Sequence, residues 1–176
     1  MYFRKIVRRV LIALFILLAV QVYLPVSGSS VWLEKDQRIS VDLSGDLLTL
    51  AGKTVSLREL EGKVLFLNFW ATWCGPCLAE MPSMSVLHEE LGREGLEVVA
   101  ITNEHPETVK YFLERNPMPF QIFIDEDDSL ARRLRIWSIP MTLILDKNRK
   151  LVHFHQGARL WDTPEVIENL GLVLKE

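Results

Sequence analysis

An apolar run that ends at two closely spaced cysteines constrains the fold of this chain more than any other stretch. Residues 64–70 show no alternation of apolar and polar side chains, which is typical of a strand buried on both faces of a sheet. Residues 73–77 then read Trp-Cys-Gly-Pro-Cys, and residues 78–82 have the character of a helix. We therefore predict a buried strand, a short connection and a helix that begins at the cysteines.

This arrangement would place the sulfur of Cys74 at the N-terminus of a helix. Free backbone N–H groups and the positive end of the helix dipole stabilise a thiolate there. The position lowers the pKa of the thiol and makes it a nucleophile. Cys77, one turn further along the helix, can close a disulfide with Cys74. Such a pair indicates a protein that exchanges a dithiol for a disulfide.

The remaining candidate ligands do not favour a metal centre. The chain has only 2 cysteines, whereas a structural zinc site needs about four Cys or His ligands. The four histidines lack the paired spacing of a zinc site. His153 and His155 would share one face of a strand, so they are either a weak metal site or solvated strand residues. We expect no metal and no cofactor.

Composition favours one globular domain with an N-terminal appendage. The 176 residues are 49% hydrophobic and 24% charged, which is ordinary for a globular protein. The net charge is −3, and the first 30 residues contain four basic side chains and no acidic one. The rest of the chain is therefore more acidic than the total suggests, and we predict no nucleic-acid binding.

The N-terminal segment predicts export. Residues 10–33 carry no charge, and their apolar part approaches the ~20 residues that span a bilayer. A cleaved signal peptide is the alternative, with residues 26–28 as a cleavage site. We favour an anchor because the apolar stretch is long and the cleavage site lacks Ala-x-Ala. Both interpretations leave the basic end in the cytoplasm and place everything after Ser30 outside.

The chain divides into an anchor or signal segment (1–30), a polar connector (31–38) and one domain (39–176). Helices between the early strands predict parallel pairing, and a late hairpin predicts an antiparallel half. The fold class is therefore α/β, a mixed sheet flanked by helices.

Predicted strands cover residues 46–50, 54–57, 64–70, 96–102, 120–124, 141–145 and 151–155. Predicted helices follow the cysteines and cover residues 106–115, 128–134 and 164–174. In the helix after the cysteines, a core-facing stripe is expected at Cys77, Met81, Met84, Leu87 or His88, and Leu91.

Residues 68–77 resemble the active-site segment of thioredoxins. The continuation Leu-Ala-Glu-Met-Pro at 78–82 is similar to the membrane-anchored, extracytoplasmic TlpA/ResA-like branch of that superfamily. The resemblance covers residues 39–174 and implies a thioredoxin-like fold with an N-terminal β-hairpin and a central αβ insertion around residues 106–124. It also implies a redox-active disulfide between Cys74 and Cys77.

The resemblance extends to a second loop. Residues 137–142 resemble the family's cis-proline loop, which implies a cis bond between Ile139 and Pro140, packed against the disulfide. In the family, the backbone before this proline pairs with an extended substrate. The substrate-binding surface expected by this resemblance consists of Trp73, Gly75, Pro76, Ile139 and Pro140.

One departure from thioredoxins concerns proton transfer. Thioredoxins usually have a buried Asp where this chain has Asn68, and an asparagine cannot titrate. Glu80 lies one helical turn after Cys77, and the TlpA/ResA-like branch carries a Glu there, so we expect it to accept the proton of Cys77. Partial burial would raise its pKa towards the working range of an acid–base catalyst. The alternative is an exposed glutamate near the helix N-terminus.

The direction of electron flow is taken from the same resemblance. Gly75-Pro76 and Ile139 resemble reducing thioredoxins, which favours a reductase of protein disulfides. That role implies a DsbD/CcdA-type transmembrane electron donor and, as substrates, apocytochrome c or a copper-site assembly protein. The alternatives are a periplasmic disulfide oxidant and a non-enzymatic copper-binding or chaperone module. A thiol peroxidase is disfavoured because the chain contains no Pro-x-x-x-Thr-x-x-Cys.

Overall fold

The computed structural model describes residues 30–176, which form one mixed sheet flanked by helices. The strands are β1 (Ser30–Trp32), β2 (Leu47–Thr49), β3 (Thr54–Val55), β4 (Val64–Phe69), β5 (Leu96–Thr102), β6 (Gln121–Ile124), β7 (Met141–Leu145) and β8 (Leu151–Gln156). The helices are α1 (Gly75–Leu91), α2 (Pro106–Leu113), α3 (Ser129–Arg133) and α4 (Pro164–Leu174). Short 3-10 turns occur at Leu57–Glu59 and Gly92–Glu94.

The sheet has the strand order β1-β8-β7-β4-β5-β6-β2-β3. β4 pairs parallel with β5 and antiparallel with β7, and β5 pairs parallel with β6. The predicted parallel half and antiparallel half therefore meet at β4. The N-terminal hairpin and the αβ insertion are also confirmed, and the hairpin joins the sheet where β2 pairs antiparallel with β6.

β4 lies in the middle of the sheet, and its side chains are buried on both faces. Val64 and Phe66 belong to a core cluster that also contains residues from α1, α2 and α4. Leu65 and Leu67, on the opposite face, pack in a second cluster with residues from α3 and the N-terminal hairpin. Helices thus cover both faces, as the uninterrupted apolar run predicts.

α1 begins with Cys74 as its N-cap and Pro76 in its first turn, where a missing N–H is tolerated. The helix continues through Pro82 to Leu91. The predicted core-facing stripe is confirmed, with Leu87 rather than His88 as the fully buried member. This helix therefore holds the cysteines against the centre of the sheet.

The predicted connector differs from the structure at both ends. Val31 and Trp32 belong to β1, which pairs antiparallel with β8 and gives that strand a neighbour on its outer edge. At the other end, Arg38 forms ion pairs with Asp146 at 3.3 Å and with Glu176 at 2.6 Å. The connector gave no local sign of these partners, because Asp146 follows β7 and Glu176 follows α4, each more than 100 positions away.

The predicted anchor or signal segment lies, apart from Ser30, outside the described residues. Within residues 30–176, none of the helices has the length and apolar character needed to cross a membrane.

Candidate active site

Cys74 and Cys77 are joined by a disulfide at the start of α1. The backbone N–H of Cys77 donates a hydrogen bond to Sγ of Cys74 at 3.3 Å. The contact shows that an N–H of the first helical turn points at the first sulfur. In the reduced protein, the same N–H would stabilise a Cys74 thiolate. Cys74 is 5% exposed and Cys77 is fully buried, so the first sulfur is nearer to solvent.

The other residues predicted to bind substrate fall into two groups. Trp73, Gly75 and Pro76 are exposed beside the disulfide, with Trp73 at 74%. Ile139 is half-buried, Pro140 is buried, and the bond between them is cis as expected.

A groove of about 240 Å³ brings part of this set together. Its lining includes Trp73, Ile139 and Trp137, and the last of these is 80% exposed. Gly75, Pro76 and Pro140 are not part of the lining. Sequence reasoning missed Trp137, although it lies within the resembling loop. The groove thus connects the tryptophan before the cysteines with the loop before the cis proline.

Glu80 is a buried residue of α1, with 1% of its surface exposed. The alternative of an exposed helix glutamate is therefore wrong. Its Oε1 accepts a hydrogen bond from Nδ2 of Asn68 at 2.7 Å. Its Oε2 accepts from Nε1 of Trp161 at 3.1 Å and from the backbone N–H of Arg159 at 3.3 Å. Asn68 also donates to Oγ1 of Thr142 at 3.0 Å. The carboxylate therefore accepts hydrogen bonds from two separate parts of the chain.

Burial raises the pKa of the Glu80 carboxyl above its usual range, because the charged form loses its hydration. The hydrogen bonds from Asn68, Trp161 and Arg159 stabilise the charged form and offset part of this effect. Within the described residues, Oδ1 of Asn68 has no hydrogen-bond partner. A raised pKa gives Glu80 the property that an acceptor of a thiol proton needs near neutral pH.

Trp161 is the main residue of this site that sequence reasoning missed. It is fully buried, and Oγ of Ser83 accepts a hydrogen bond from its backbone N–H at 3.0 Å. Nothing near Trp161 in the sequence marks it, because its partners lie about eighty positions earlier in α1. A tryptophan shortly before a helix carries no local signal of such a contact.

A second missed contact holds the connection that leads into the cysteines. Glu104 accepts hydrogen bonds from the backbone N–H of Thr72 at 2.6 Å and from its Oγ1 at 2.7 Å. Glu104 follows β5, the parallel neighbour of β4, so the ends of both strands meet there. The contact fixes the backbone two residues before Cys74.

His153 and His155 are buried, so the interpretation as solvated strand histidines is wrong. The ring of His153 stacks on Trp32 of β1 at 4.1 Å, and both imidazoles contact the edge or face of Trp161. Burial, aided by the charge of Arg159, lowers the pKa of His153 to about 4. Within residues 30–176, no cluster of three or more His, Cys, Asp or Glu side chains is arranged to hold a metal ion.

Comparison with known proteins places these features in a family. The AhpC/TSA family model matches residues 39–154. The thiol-disulfide oxidoreductase ResA of Halalkalibacterium halodurans is 36% identical over 127 residues, which cover 72% of this chain and 70% of that protein. ResA of Geobacillus thermodenitrificans is 38% identical over 106 residues, which cover 60% of this chain and 61% of that protein.

Solved structures agree on the fold. A thiol:disulfide interchange protein of the thioredoxin family from Chlorobium tepidum superimposes with a TM-score of 0.64 at 25% identity, covering 77% of this chain and 96% of that one. A secreted thiol-disulfide isomerase from Corynebacterium glutamicum has a TM-score of 0.74 at 21% identity, covering 86% and 95%, and supports the fold alone. The disulfide at the start of α1, the thioredoxin-like sheet and these relatives lead to one assignment: the chain belongs to the AhpC/TSA family and is a ResA-like thiol-disulfide oxidoreductase of the thioredoxin superfamily.

Proposed function

We propose that this protein is an extracytoplasmic reductase of protein disulfides. The observation that carries the proposal is the Cys74–Cys77 pair at the N-terminus of α1, with the carboxyl group of Glu80 buried one turn further along the same helix. A nucleophilic sulfur near the surface and a buried proton acceptor are the two groups that reduction of a disulfide requires.

The reaction begins from the reduced pair. The Cys74 thiolate attacks one sulfur of the substrate disulfide, forms a mixed disulfide and releases the other substrate sulfur as a thiolate. Glu80 then accepts the proton of the Cys77 thiol, and the Cys77 sulfur attacks Sγ of Cys74. The mixed disulfide breaks, and the second substrate thiolate leaves. Two electrons pass to the substrate, and the protein ends in the disulfide form.

The substrate surface proposed for this reaction is the groove that contains Trp73, Trp137 and Ile139, with Gly75, Pro76 and Pro140 beside it. Two largely exposed tryptophans offer apolar area at little entropic cost, because each has only two rotatable side-chain bonds. An extended peptide that pairs with the backbone before Pro140 would present its disulfide near Cys74, as the resemblance to thioredoxins implies.

The direction of electron flow rests on the spacer Gly75-Pro76 and on Ile139, which resemble reducing thioredoxins. A reductase in an oxidising compartment needs electrons from the cytoplasm, and we propose a DsbD/CcdA-type transmembrane donor. The substrates proposed are apocytochrome c C-x-x-C-H segments or copper-site assembly proteins.

The compartment is proposed from the sequence of residues 1–30. The basic residues at the start favour a cytoplasmic N-terminus, and the apolar stretch that follows is long enough to anchor the chain in the cytoplasmic membrane. The domain would then be extracytoplasmic, or exported and soluble if the segment is cleaved.

The proposal is tested with the purified protein and a peptide that carries a C-x-x-C-H disulfide. We expect the dithiol form to reduce the peptide, Cys74→Ala to abolish the reaction, and Cys77→Ser to accumulate a stable mixed disulfide. Undiminished reduction by Cys74→Ala would refute the exchange mechanism. Stoichiometric copper retained by the purified protein, without reductase activity, would favour the binding module instead.

A further inference from the structure

Trp161 contacts α1 through both its side chain and its backbone. Its indole Nε1 donates to Oε2 of Glu80 at 3.1 Å, and its backbone N–H donates to Oγ of Ser83 at 3.0 Å. The Ser83 hydroxyl in turn donates to the carbonyl oxygen of Glu80 at 2.8 Å. Trp161 lies between β8 and α4, so these contacts connect a remote part of the chain to the residue proposed to accept the Cys77 proton.

The indole ring is held on several sides. The ring of Phe66 on β4 packs edge-to-face against it at 4.8 Å between centroids. The imidazole of His155 lies at 5.7 Å, and the guanidinium of Arg159 lies over the ring at 5.0 Å. A ring fully buried among such neighbours has one orientation, and its N–H therefore points at Glu80 without the entropic cost that a mobile donor would have.

We propose that Trp161 is a positioning residue of the exchange reaction, which holds the Glu80 carboxylate in its ionised, proton-accepting state and orientation. The inference rests on the proposed role of Glu80 and adds the residue that makes this role possible. Among the donors to that carboxylate, Trp161 and Asn68 use side chains, and Arg159 uses its backbone. Trp161 donates to Oε2 through its side chain, so this donor can be removed by substitution.

Glu80 carries its charge in a site from which burial excludes most water. A hydrogen bond to a buried carboxylate offsets part of the free energy that the charged form loses when it leaves water. Without that donor, the charged form is less stable. Removing the indole N–H should therefore raise the pKa of Glu80 further. The carboxyl group would then be protonated over more of the neutral range and would be a poorer acceptor for the Cys77 proton.

The charged and titratable groups around Trp161 do not produce the same effect. The guanidinium of Arg159 lies 3.9 Å from the carboxylate of Glu165. Burial lowers the pKa of His153 to about 4 and also lowers the pKa of His155, so both are neutral above pH ~6.5. A change in pH dependence above that value therefore reports on Glu80 or the cysteines.

Ellman's reagent separates the two chemical steps, because each of them releases one coloured thiolate. Attack by Cys74 gives the first release, and resolution by Cys77 gives the second. In Trp161→Phe, which keeps a buried ring but loses the N–H, we expect the resolution step to need a higher pH. Its midpoint should move upward by about one pH unit, with the first step unchanged, since hydrogen bonds to charged groups have energies of this order.

Trp32→Phe is the matched control. Trp32 belongs to the same aromatic cluster through its stacking on His153, and within the described residues its Nε1 has no hydrogen-bond partner. We expect its resolution midpoint to equal that of the wild type. Ser83→Ala removes the acceptor for the backbone N–H of Trp161 together with the donor to the Glu80 carbonyl oxygen, and leaves the indole N–H in place. It should give a smaller upward shift and serves if Trp161→Phe does not fold.

The variants test the role of Trp161 separately from the role of Glu80. Resolution that is slow in Glu80→Gln, together with unshifted midpoints in Trp161→Phe and Ser83→Ala, would overturn the role of Trp161 alone. Resolution of normal rate in Glu80→Gln would overturn the role of Glu80 and, with it, that of Trp161. In the Glu80→Gln background, the inference predicts that adding Trp161→Phe has no further effect on the midpoint.

Discussion

At the scale of single residues, the proposed proton acceptor is the buried Glu80, whereas thioredoxins usually have a buried Asp at the position of Asn68. Asn68 occupies the central strand but cannot titrate, and it instead donates to Glu80 on the facing helix. The resemblance to thioredoxins and to the TlpA/ResA-like branch predicted this exchange, because it assigns positions to Asn68 and Glu80 on either side of the cysteines. It could not indicate Trp161, whose contact with Glu80 depends on how the end of the chain packs.

Replacement of Glu80 by glutamine tests its role as proton acceptor. We expect Glu80→Gln to slow the resolution of the mixed disulfide by about 100-fold, the lower end of the range for general acid–base groups, and to leave the first attack by Cys74 unchanged. The two releases of colour from Ellman's reagent measure both rates. Equal slowing of the two steps would indicate a general disturbance of the site.

The raised pKa of Glu80 also predicts how stability depends on pH. The folded protein favours the protonated carboxyl, so its contribution is most favourable below the ordinary pKa of a glutamate and is lost as pH rises through the folded pKa. Urea unfolding gives the free energy of unfolding of the wild type and of Glu80→Gln. As pH rises from about 4.5, the wild type should lose stability relative to the variant. A difference independent of pH would contradict the raised pKa.

At the scale of elements, periodicity and chemistry predicted β4 and α1 correctly, whereas β1 was predicted as connector. β4 and α1 are long enough for their apolar patterns to be distinctive. β1 has three residues, which pair with the edge of β8, and its Trp32 stacks on the ring of His153. Such an element is determined by tertiary contacts rather than by its own sequence.

The covering of β8 by β1 makes the fold sensitive to acid. His153 is neutral in the folded protein with a pKa of about 4, whereas an unfolded histidine has its ordinary pKa of about 6.5. Its contribution to stability is complete above pH ~6.5 and is lost as pH falls towards 4, a loss on the order of 3 kcal/mol. We expect His153→Phe to lose less stability over this range than the wild type in urea titrations. Parallel curves for the two proteins would contradict the assignment.

At the scale of the whole molecule, the order of elements was enough to predict a mixed sheet with helices on both faces. The αβ insertion and the late hairpin also appeared where the sequence placed them. The site was predictable as far as it is local, from Cys74 to Glu80. Its supports from Glu104 and Trp161 were not, because residues 32 and 81 positions away meet the site only after the sheet forms.

The proposed anchor is tested on the full chain in cells. If residues 1–30 remain as a membrane anchor, the protein should stay in the membrane fraction after an alkaline carbonate wash. Removal of the segment by cleavage would instead release a shorter protein, and the mass of the mature chain distinguishes the two results.

The central claim is that this protein reduces disulfides rather than forming them, and the reduction potential of the Cys74–Cys77 couple tests it most directly. Equilibration of the purified protein with defined glutathione or dithiothreitol mixtures gives the value. We expect a potential close to that of thioredoxin, about −270 mV, and a value near that of the strong oxidant DsbA, about −120 mV, would contradict the account.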